Sequence, residues 1–115
     1  MGDFLLIMKK QFRIKDSIEF AEIIRKRKTF GSRNFVIYAK KREKNYARIG
    51  ISVPTRLGKA HQRNLIKRQV REMLKDFKYY ECDYDLIIIV KKMYLSRSFR
   101  ENEKDLENLL KQVKI

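Results

Sequence analysis

The run Leu86-Ile87-Ile88-Ile89-Val90 constrains the fold more than any other segment of this chain. Five consecutive apolar residues are typical of a central β-strand that is covered on both faces. A sheet with such a strand needs other elements packed against it, so the run predicts a layered domain. At 115 residues the chain is long enough for one such domain and too short for two.

Two further strands are predicted upstream of this run. Phe35–Ala39 has the composition of a strand. Residues 47–53 alternate between apolar and polar positions, with Ala47, Ile49, Ile51 and Val53 on one face. The polar stretch 40–45 between them reads as a turn, and Pro54, the only proline, ends the second strand. The sequence leaves open a short additional strand near Thr29–Gly31.

Three helices complete the predicted fold. Asp16-Ser17-Ile18-Glu19 and Ser98-Phe99-Arg100-Glu101 are capping boxes, which predict one helix over about 17–27 and another that begins at Ser98. A third helix is predicted over 59–77, where apolar residues recur at helical spacing: Ile66, Val70, Met73, Leu74 and Phe77. The element order is therefore α-β-β-(β)-α-β-α, in an α/β (α+β-like) single small domain with a short central sheet.

The charge of the chain indicates a polyanionic partner. Lys and Arg number 29 against 14 Asp and Glu, which gives a formal net charge of +15. Like charges on so small a body repel one another and weaken the fold, so this surplus is typical of nucleic-acid-binding proteins. The composition is nevertheless that of a folded domain, because 43% of the residues are hydrophobic, with seven Phe and six Tyr.

A self-contained active site or metal centre has little support in the sequence. His61 is the only histidine and Cys82 the only cysteine, which excludes a His-based metal cage, a thiolate zinc site and an intrachain disulfide. Neither G-x-x-x-x-G-K-S/T nor G-x-G-x-x-G, the glycine-rich sequences that hold phosphates, occurs. We therefore expect no cofactor or metal bound by the protein alone and no small-molecule substrate.

One side of the predicted helix 59–77 is densely cationic. Arg63, Lys67 and Arg71 recur at i, i+4 and i+8, and Asn64, Arg68 and Lys75 extend the same flank. Glu72 is the only acid between residues 56 and 75, so ion pairing within the helix does not explain the row. Arginine presents forked donors that match phosphate oxygens, and lysine adds a mobile charge. The N–H groups at the helix start after Gly58 are further candidate phosphate ligands.

The basic helix and the strand before it resemble a known family. Gly58-Lys59-Ala60, Arg63-Asn64-Leu65-Ile66-Lys67-Arg68 and Arg71-Glu72 are similar to the "RNR" signature of the bacterial ribonuclease P protein family. Arg48–Val53 and Ser32–Tyr38 match in order and spacing, and the resemblance extends over residues 12–113. Leu65 stands where the family usually has the second arginine of its signature.

The resemblance implies both a fold and a function. The fold is a small domain whose βαβ unit has a left-handed crossover, against the usual right-handed rule. In this family the protein does not cleave; its RNA partner does, with magnesium bound by the RNA. The protein binds that RNA and the 5′ leader of precursor tRNA. The implied partners are therefore ribonuclease P RNA and precursor tRNA, with magnesium expected only in the RNA-containing holoenzyme.

The resemblance also assigns site residues by position. The residues expected to bind RNA are Arg56, Lys59, Arg63, Asn64, Lys67, Arg68 and Arg71. The cleft for the single-stranded leader would be lined by Phe20, Phe35 and Tyr38, with a phosphate contact from Arg33. Phe20 and Phe35 are equally consistent with core positions, whereas the polar end of Tyr38 suits a cleft better.

Three other functions remain as alternatives. A structural ribonucleoprotein component, such as a ribosomal protein, fits the charge and size equally well. A DNA-binding module with helix 59–77 in a major groove lacks the preceding second helix of a helix-turn-helix. A stand-alone nuclease lacks the necessary residues.

The N-terminal residues bear on location and on the start of the chain. Phe4–Met8 is too short an apolar run for a membrane span or a signal peptide, so we expect a cytoplasmic protein. Met8-Lys9-Lys10 would make a natural start, which leaves Met1 and Met8 as alternatives. We expect one RNA-binding domain over 1–115, with residues 1–10 as a flexible or extended segment.

Overall fold

A computed structural model describes residues 28–75 and 83–113, together with Ala21 and Arg25. Four strands and two helices lie in these ranges: β1 (Lys28–Gly31), β2 (Phe35–Lys41), β3 (Ile49–Ser52), α1 (Ala60–Leu74), β4 (Tyr84–Val90) and α2 (Phe99–Gln112). Two 3₁₀ turns, Thr55–Leu57 and Lys92–Ser96, precede α1 and α2. The predicted small α/β domain is confirmed, and the short additional strand is present as β1.

The strands form one mixed sheet in the order β1-β2-β4-β3. β2 pairs antiparallel with both β1 and β4, and Tyr38 lies opposite Thr29 on one side and Ile87 on the other. β3 pairs parallel with β4, so that Ile51 lies opposite Ile88. A parallel pair needs a crossover connection, and α1 provides it. The βαβ unit is therefore present, and its left-handed crossover stays a prediction.

The central strand β4 is buried on both faces, as its apolar run predicts. Ile87 and Ile88 point to opposite faces of the sheet because side chains alternate along a strand, and both are 0% exposed. One face, which carries Ile88, is covered by α1 and α2. The core on this face includes Ile37, Leu86, Ile88 and Val90 from the sheet, with Ile66, Val70, Leu106 and Leu109 from the helices.

Phe35 belongs to this core, so its assignment to the leader cleft is wrong. Its side chain is 0% exposed and packs edge-to-face on the ring of Tyr94, with 5.6 Å between the ring centroids. Phe35, Ile37 and Ala39 alternate along β2 toward the helices, and all three are fully buried. A ring in this position has no face left on which a nucleotide base can stack.

The second capping box forms as predicted. The backbone N–H of Glu101 donates to Oγ of Ser98, and the N–H of Ser98 donates to Oε1 of Glu101, both at 3.1 Å. Hydrogen bonds from Ser98 lower the pKa of the Glu101 carboxyl group, and the bond from the Ser98 backbone has the largest effect. This arrangement satisfies donors that a helix start otherwise leaves unpaired.

Several predictions fall outside the described residues. Phe20, Cys82, Phe77 and the N-terminal segment 1–10 lie there, as does most of the predicted helix over 17–27, of which Ala21 and Arg25 have helical backbone. Among the residues that are described, no helix is long and apolar enough to cross a membrane.

Candidate nucleic-acid interface

The cationic row predicted on helix 59–77 is present along α1. Ile66, Val70, Met73 and Leu74 turn toward the core. Arg63, Lys67 and Arg71 lie half-buried along one flank, while Asn64 and Arg68 are exposed beyond them. Lys59 stands at the N-cap of α1, and Arg56 is exposed in the 3₁₀ turn that precedes it. The structure therefore brings together all seven residues that were expected to bind RNA.

Three cations of this interface lack an acidic partner among the described residues. Glu72 Oε1 lies 2.6 Å from Nζ of Lys75, so the one acid of α1 is engaged at the end of the helix. Within the described ranges, no carboxylate pairs with Arg56, Lys67 or Arg68. Adjacent cations without acidic partners repel one another, and an anion such as a phosphate relieves that repulsion.

The start of α1 is held in a specific conformation by three residues. Gly58 has φ of 147°, in the region that favours glycine, and a Cβ built there would lie 2.4 Å from Oε1 of Gln62. That oxygen instead accepts a hydrogen bond from the N–H of Lys59 at 2.9 Å. Nε of Arg63 donates to the carbonyl oxygen of Gly58 at 3.1 Å. Arg63 thus fixes the loop that carries Arg56 and Lys59, a role that its position in the signature did not predict.

The opposite flank of α1 packs against the segment before α2. On this flank, Oε1 of Gln69 accepts a hydrogen bond of 2.7 Å from the hydroxyl group of Tyr94. Tyr94 is 4% exposed, and burial raises its pKa to about 12. The helix therefore presents its cations on the side that faces away from α2.

Tyr38 lies on the other face of the sheet from α1. Its neighbours on that face are Val36 and Ile89, all three half-buried, and the fully buried Ile87 opposite it on β4. Tyr38 is therefore separated from the cationic row by the thickness of the sheet. Its assignment to a leader cleft stays a prediction, and Phe20 lies outside the described residues.

Arg33 is exposed in a turn that buried polar groups hold in place. Oδ2 of Asp105 accepts from Oγ of Ser32 at 2.6 Å and from the N–H of Asn34 at 3.3 Å. Nδ2 of Asn34 donates to Oδ1 of Asn102 at 2.9 Å, with both side chains buried. The turn between β1 and β2 is thereby fixed to α2, and Arg33 is presented to solvent at its tip.

Sequence reasoning missed a second group of cations. Lys41, Arg42 and Lys44 line a pocket with Tyr84, the first residue of β4, and with Asp83 immediately before it. The segment reads as a polar turn, and its basic composition was the only available signal. Leu65, in place of the second signature arginine, is 52% exposed and so lies at the surface beside the row.

The described residues contain little from which a protein-based active site could be built. No group of three or more His, Cys, Asp or Glu among them is placed to hold a metal ion. His61, the only histidine of the chain, is exposed in the first turn of α1. A strand and the short 3₁₀ turn Thr55–Leu57 precede α1, in place of the first helix of a helix-turn-helix.

The fold and the interface together define a small α+β domain that carries a row of cations on its crossover helix. Comparison with known proteins identifies the family. The family model for ribonuclease P matches residues 8–114, and the chain belongs to the ribonuclease P protein family. Its similarity to the ribonuclease P protein component of Mesoplasma florum is 44% identity over 105 residues, which cover 90% of this chain and 96% of that protein.

Solved structures support the same assignment. A Staphylococcus aureus RNase P protein mutant matches with a TM-score of 0.84 at 34% identity, covering 94% of this chain and 92% of the other. The RNase P protein from Thermotoga maritima matches with a TM-score of 0.80 at 30% identity, covering 90% of this chain and 98% of the other. The chain is therefore a protein component of bacterial ribonuclease P and is associated with an endoribonuclease and with tRNA processing.

Proposed function

We propose that this chain binds the RNA subunit of ribonuclease P and the 5′ leader of precursor tRNA, and that it thereby assists removal of the leader in the cytoplasm. The observation that carries the proposal is the flank of α1. Exposed Arg68 and half-buried Lys67 have no acidic partner in the described part of the chain. Rows of this kind match the spacing and charge of a phosphate backbone.

In this proposal, RNA binds at two separate surfaces of the chain. The cations of α1 contact RNA phosphates, because arginine and lysine bind phosphate oxygens through charge-assisted hydrogen bonds. Tyr38, on the other face of the sheet, contacts the single-stranded leader, because stacking of bases on aromatic rings tolerates variation in sequence. Arg33, exposed at the tip of its turn, adds a phosphate contact. Binding of the leader favours precursor over mature tRNA.

The proposal assigns the chemistry of cleavage to the RNA. A protein active site for phosphodiester hydrolysis needs positioned acids, bases or metal ligands. The chain has one histidine, His61, and the described residues contain no metal-binding cluster. Magnesium is accordingly expected on the RNA of the holoenzyme, where it would supply the activated water and stabilise the leaving oxygen.

The deciding experiment is cleavage of a precursor tRNA at low magnesium by a bacterial ribonuclease P RNA alone, by this protein alone, and by both. Efficient cleavage is expected only with both present. The Lys67→Ala/Arg68→Ala variant should lower that enhancement, while Lys104→Ala/Lys111→Ala, a matched loss of two exposed charges on α2, should not. Tight RNA binding without any enhancement would favour a structural ribonucleoprotein component instead.

Salt dependence gives a second test of the same proposal. If about 5 phosphates are neutralised, the slope of log K against log salt is about −3 to −5. A flat response would contradict electrostatic binding. Equal affinity for duplex DNA and precursor tRNA would instead support a DNA-binding module.

A further inference from the structure

A pocket at one end of the sheet combines cationic, acidic and aromatic side chains. It has a volume of about 540 Å³ and is lined by Lys41, Arg42, Lys44, Asp83 and Tyr84. The β2–β4 pairing creates it, because Lys41 lies opposite Tyr84 and the N–H of Arg42 donates to the carbonyl oxygen of Asp83 at 3.0 Å. The last residue pair of β2 and β4 therefore brings the lining residues together from two separate parts of the chain.

The charges of the lining favour an anion. Lys41, Arg42 and Lys44 contribute three positive charges, against the single carboxylate of Asp83. Glu43, the acid within the loop, is not among the lining residues, and its Oε1 lies 2.7 Å from Nζ of Lys40. The pocket therefore carries a net positive charge in a protein that already has a large cationic surplus.

Tyr84 and Asp83 distinguish the pocket from a simple cationic patch. Tyr84 is half-buried and packs against the core, so its ring is held in a fixed position. An aromatic ring next to cations is the combination that binds a nucleotide, because the ring contacts the base while the cations contact the phosphate. The exposed carboxylate of Asp83 adds an acceptor for a ribose hydroxyl or a base amino group.

The pocket lies at the end of the sheet toward which α1 runs. β3 and β4 are parallel, so α1 must return from the end of β3 toward the beginning of β4. Its 15 residues span about 22 Å, comparable to the roughly 23 Å of the seven residues of β4. The C-terminal end of the cationic row, near Arg71 and Lys75, is therefore directed toward the end of the sheet at which β4 begins.

We infer that this pocket is a separate subsite for one RNA nucleotide, beyond the row on α1 and the predicted leader cleft. Lys41, Arg42 and Lys44 bind its phosphate, Tyr84 contacts its base, and Asp83 accepts a hydrogen bond from its ribose or base. The inference rests on the proposed function, because it assumes that the chain binds RNA. It extends the RNA path from α1 to the loop that follows β2.

The first test measures binding of ribonuclease P RNA to the full chain as salt is varied. The pocket variant is Lys41→Ala/Lys44→Ala, and the matched control is Lys104→Ala/Lys111→Ala on α2; all four lysines are exposed. Loss of a phosphate contact lowers the magnitude of the salt slope by about 1. We expect this reduction for the pocket variant only, and equal slopes for the two variants would overturn the inference.

The second test locates the RNA directly. RNA that carries 4-thiouridine is irradiated in complex with the unmodified chain, and the crosslinked peptide is identified by mass spectrometry. We expect a crosslink at Asp83–Tyr84 that weakens in Lys41→Ala/Lys44→Ala. Crosslinks confined to α1 would overturn the subsite and leave the proposed function intact, whereas no salt-dependent binding by the unmodified chain would contradict the proposed function itself.

Asp83→Asn tests the part assigned to the carboxylate. If Asp83 accepts a hydrogen bond from the nucleotide, the change weakens binding, because an amide is a poorer acceptor than a carboxylate. If Asp83 makes no such contact, removal of a negative charge strengthens binding to RNA, and the role of Asp83 is rejected.

Discussion

The hydroxyl group of Tyr94 donates a hydrogen bond of 2.7 Å to Oε1 of Gln69 and so joins the segment before α2 to α1. Tyr94→Phe removes this bond and keeps the ring that packs on Phe35. Since it leaves the Gln69 oxygen half-buried without its donor, we expect a loss of about 1–2 kcal/mol in the free energy of unfolding. Urea unfolding of both proteins measures the difference, and equal midpoints would show that the bond contributes nothing.

The raised pKa of Tyr94 predicts that the stability difference between the unmodified chain and Tyr94→Phe changes at alkaline pH. Burial raises the pKa of Tyr94 to about 12 in the folded chain, above the value of about 10 for an exposed tyrosine. The stabilisation is fully present below pH 10 and is lost as the pH rises from 10 toward 12, because only the unfolded chain loses its proton readily there. The advantage of the unmodified chain over Tyr94→Phe should therefore shrink across this range, as followed by unfolding at fixed pH values.

Gly58 and Gly31 form a matched pair for a backbone test. Gly58→Ala places a methyl group 2.4 Å from Oε1 of Gln62 at φ of 147°, whereas a Cβ at Gly31 meets nothing within 4 Å. We expect Gly58→Ala to cost about 1–3 kcal/mol and to weaken RNA binding through Arg56 and Lys59. Gly31→Ala should change stability by less than about 1 kcal/mol. Thermal unfolding measures both, and similar effects would contradict the special role of Gly58.

Arg63 and Arg68 should respond differently to replacement by lysine. Arg63→Lys keeps the charge but loses the Nε that donates to Gly58 at 3.1 Å, so we expect a stability loss of about 1 kcal/mol and weaker RNA binding. Arg68 is exposed and forms no ion pair among the described residues, so Arg68→Lys should stay within about 0.5 kcal/mol. Unfolding and RNA titrations on both variants provide the comparison, and equal losses would remove the positioning role of Arg63.

Leu65→Arg should strengthen RNA binding. The side chain is 52% exposed on α1, and arginine has a high helix propensity, so the fold should tolerate the change. One additional phosphate contact would increase the magnitude of the salt slope by about 1. Leu65→Gln serves as the uncharged control in the same titration. An unchanged slope would place position 65 away from the RNA.

Phe35 and Tyr38 separate core packing from leader binding. Phe35→Ala creates a cavity at a fully buried position, and we expect it to cost about 3–5 kcal/mol. Tyr38→Ala should cost less stability, because Tyr38 is half-buried, and should weaken binding of precursor tRNA more than of mature tRNA. Equal weakening for both RNAs would argue against a leader contact by Tyr38.

The contrast between these two aromatic residues shows what the sequence could predict. The existence of β2 followed from composition. In Phe35-Val36-Ile37-Tyr38, however, the side chains of both faces are apolar or aromatic, so the pattern does not show which face is buried, and a shift of one residue would exchange the two faces. Only the pairing of β2 with β4 determines that Phe35 turns inward and Tyr38 outward. The central strand and the α2 capping box were predictable because each depends on a local pattern.

The sequence likewise predicted only part of the nucleic-acid interface. Helical spacing was sufficient to align Arg63, Lys67 and Arg71, since that alignment is a property of the helix alone. It did not reveal the hydrogen bond from Arg63 to Gly58, because that contact depends on the conformation of the preceding loop. The pocket beside Tyr84 was not predictable, because its two halves are distant in sequence and meet only through the sheet register.

The helix α1, which connects the adjacent parallel strands β3 and β4, has a consequence for the thermodynamics of RNA binding. The helix packs through Ile66 and Val70 on a sheet whose central strand is buried at five of its seven residues, so its cations are preorganised before any RNA is present. The conformational entropy of that part of the polypeptide is lost during folding and not during association. We therefore expect the ordering that accompanies complex formation at α1 to occur mainly in the nucleic acid.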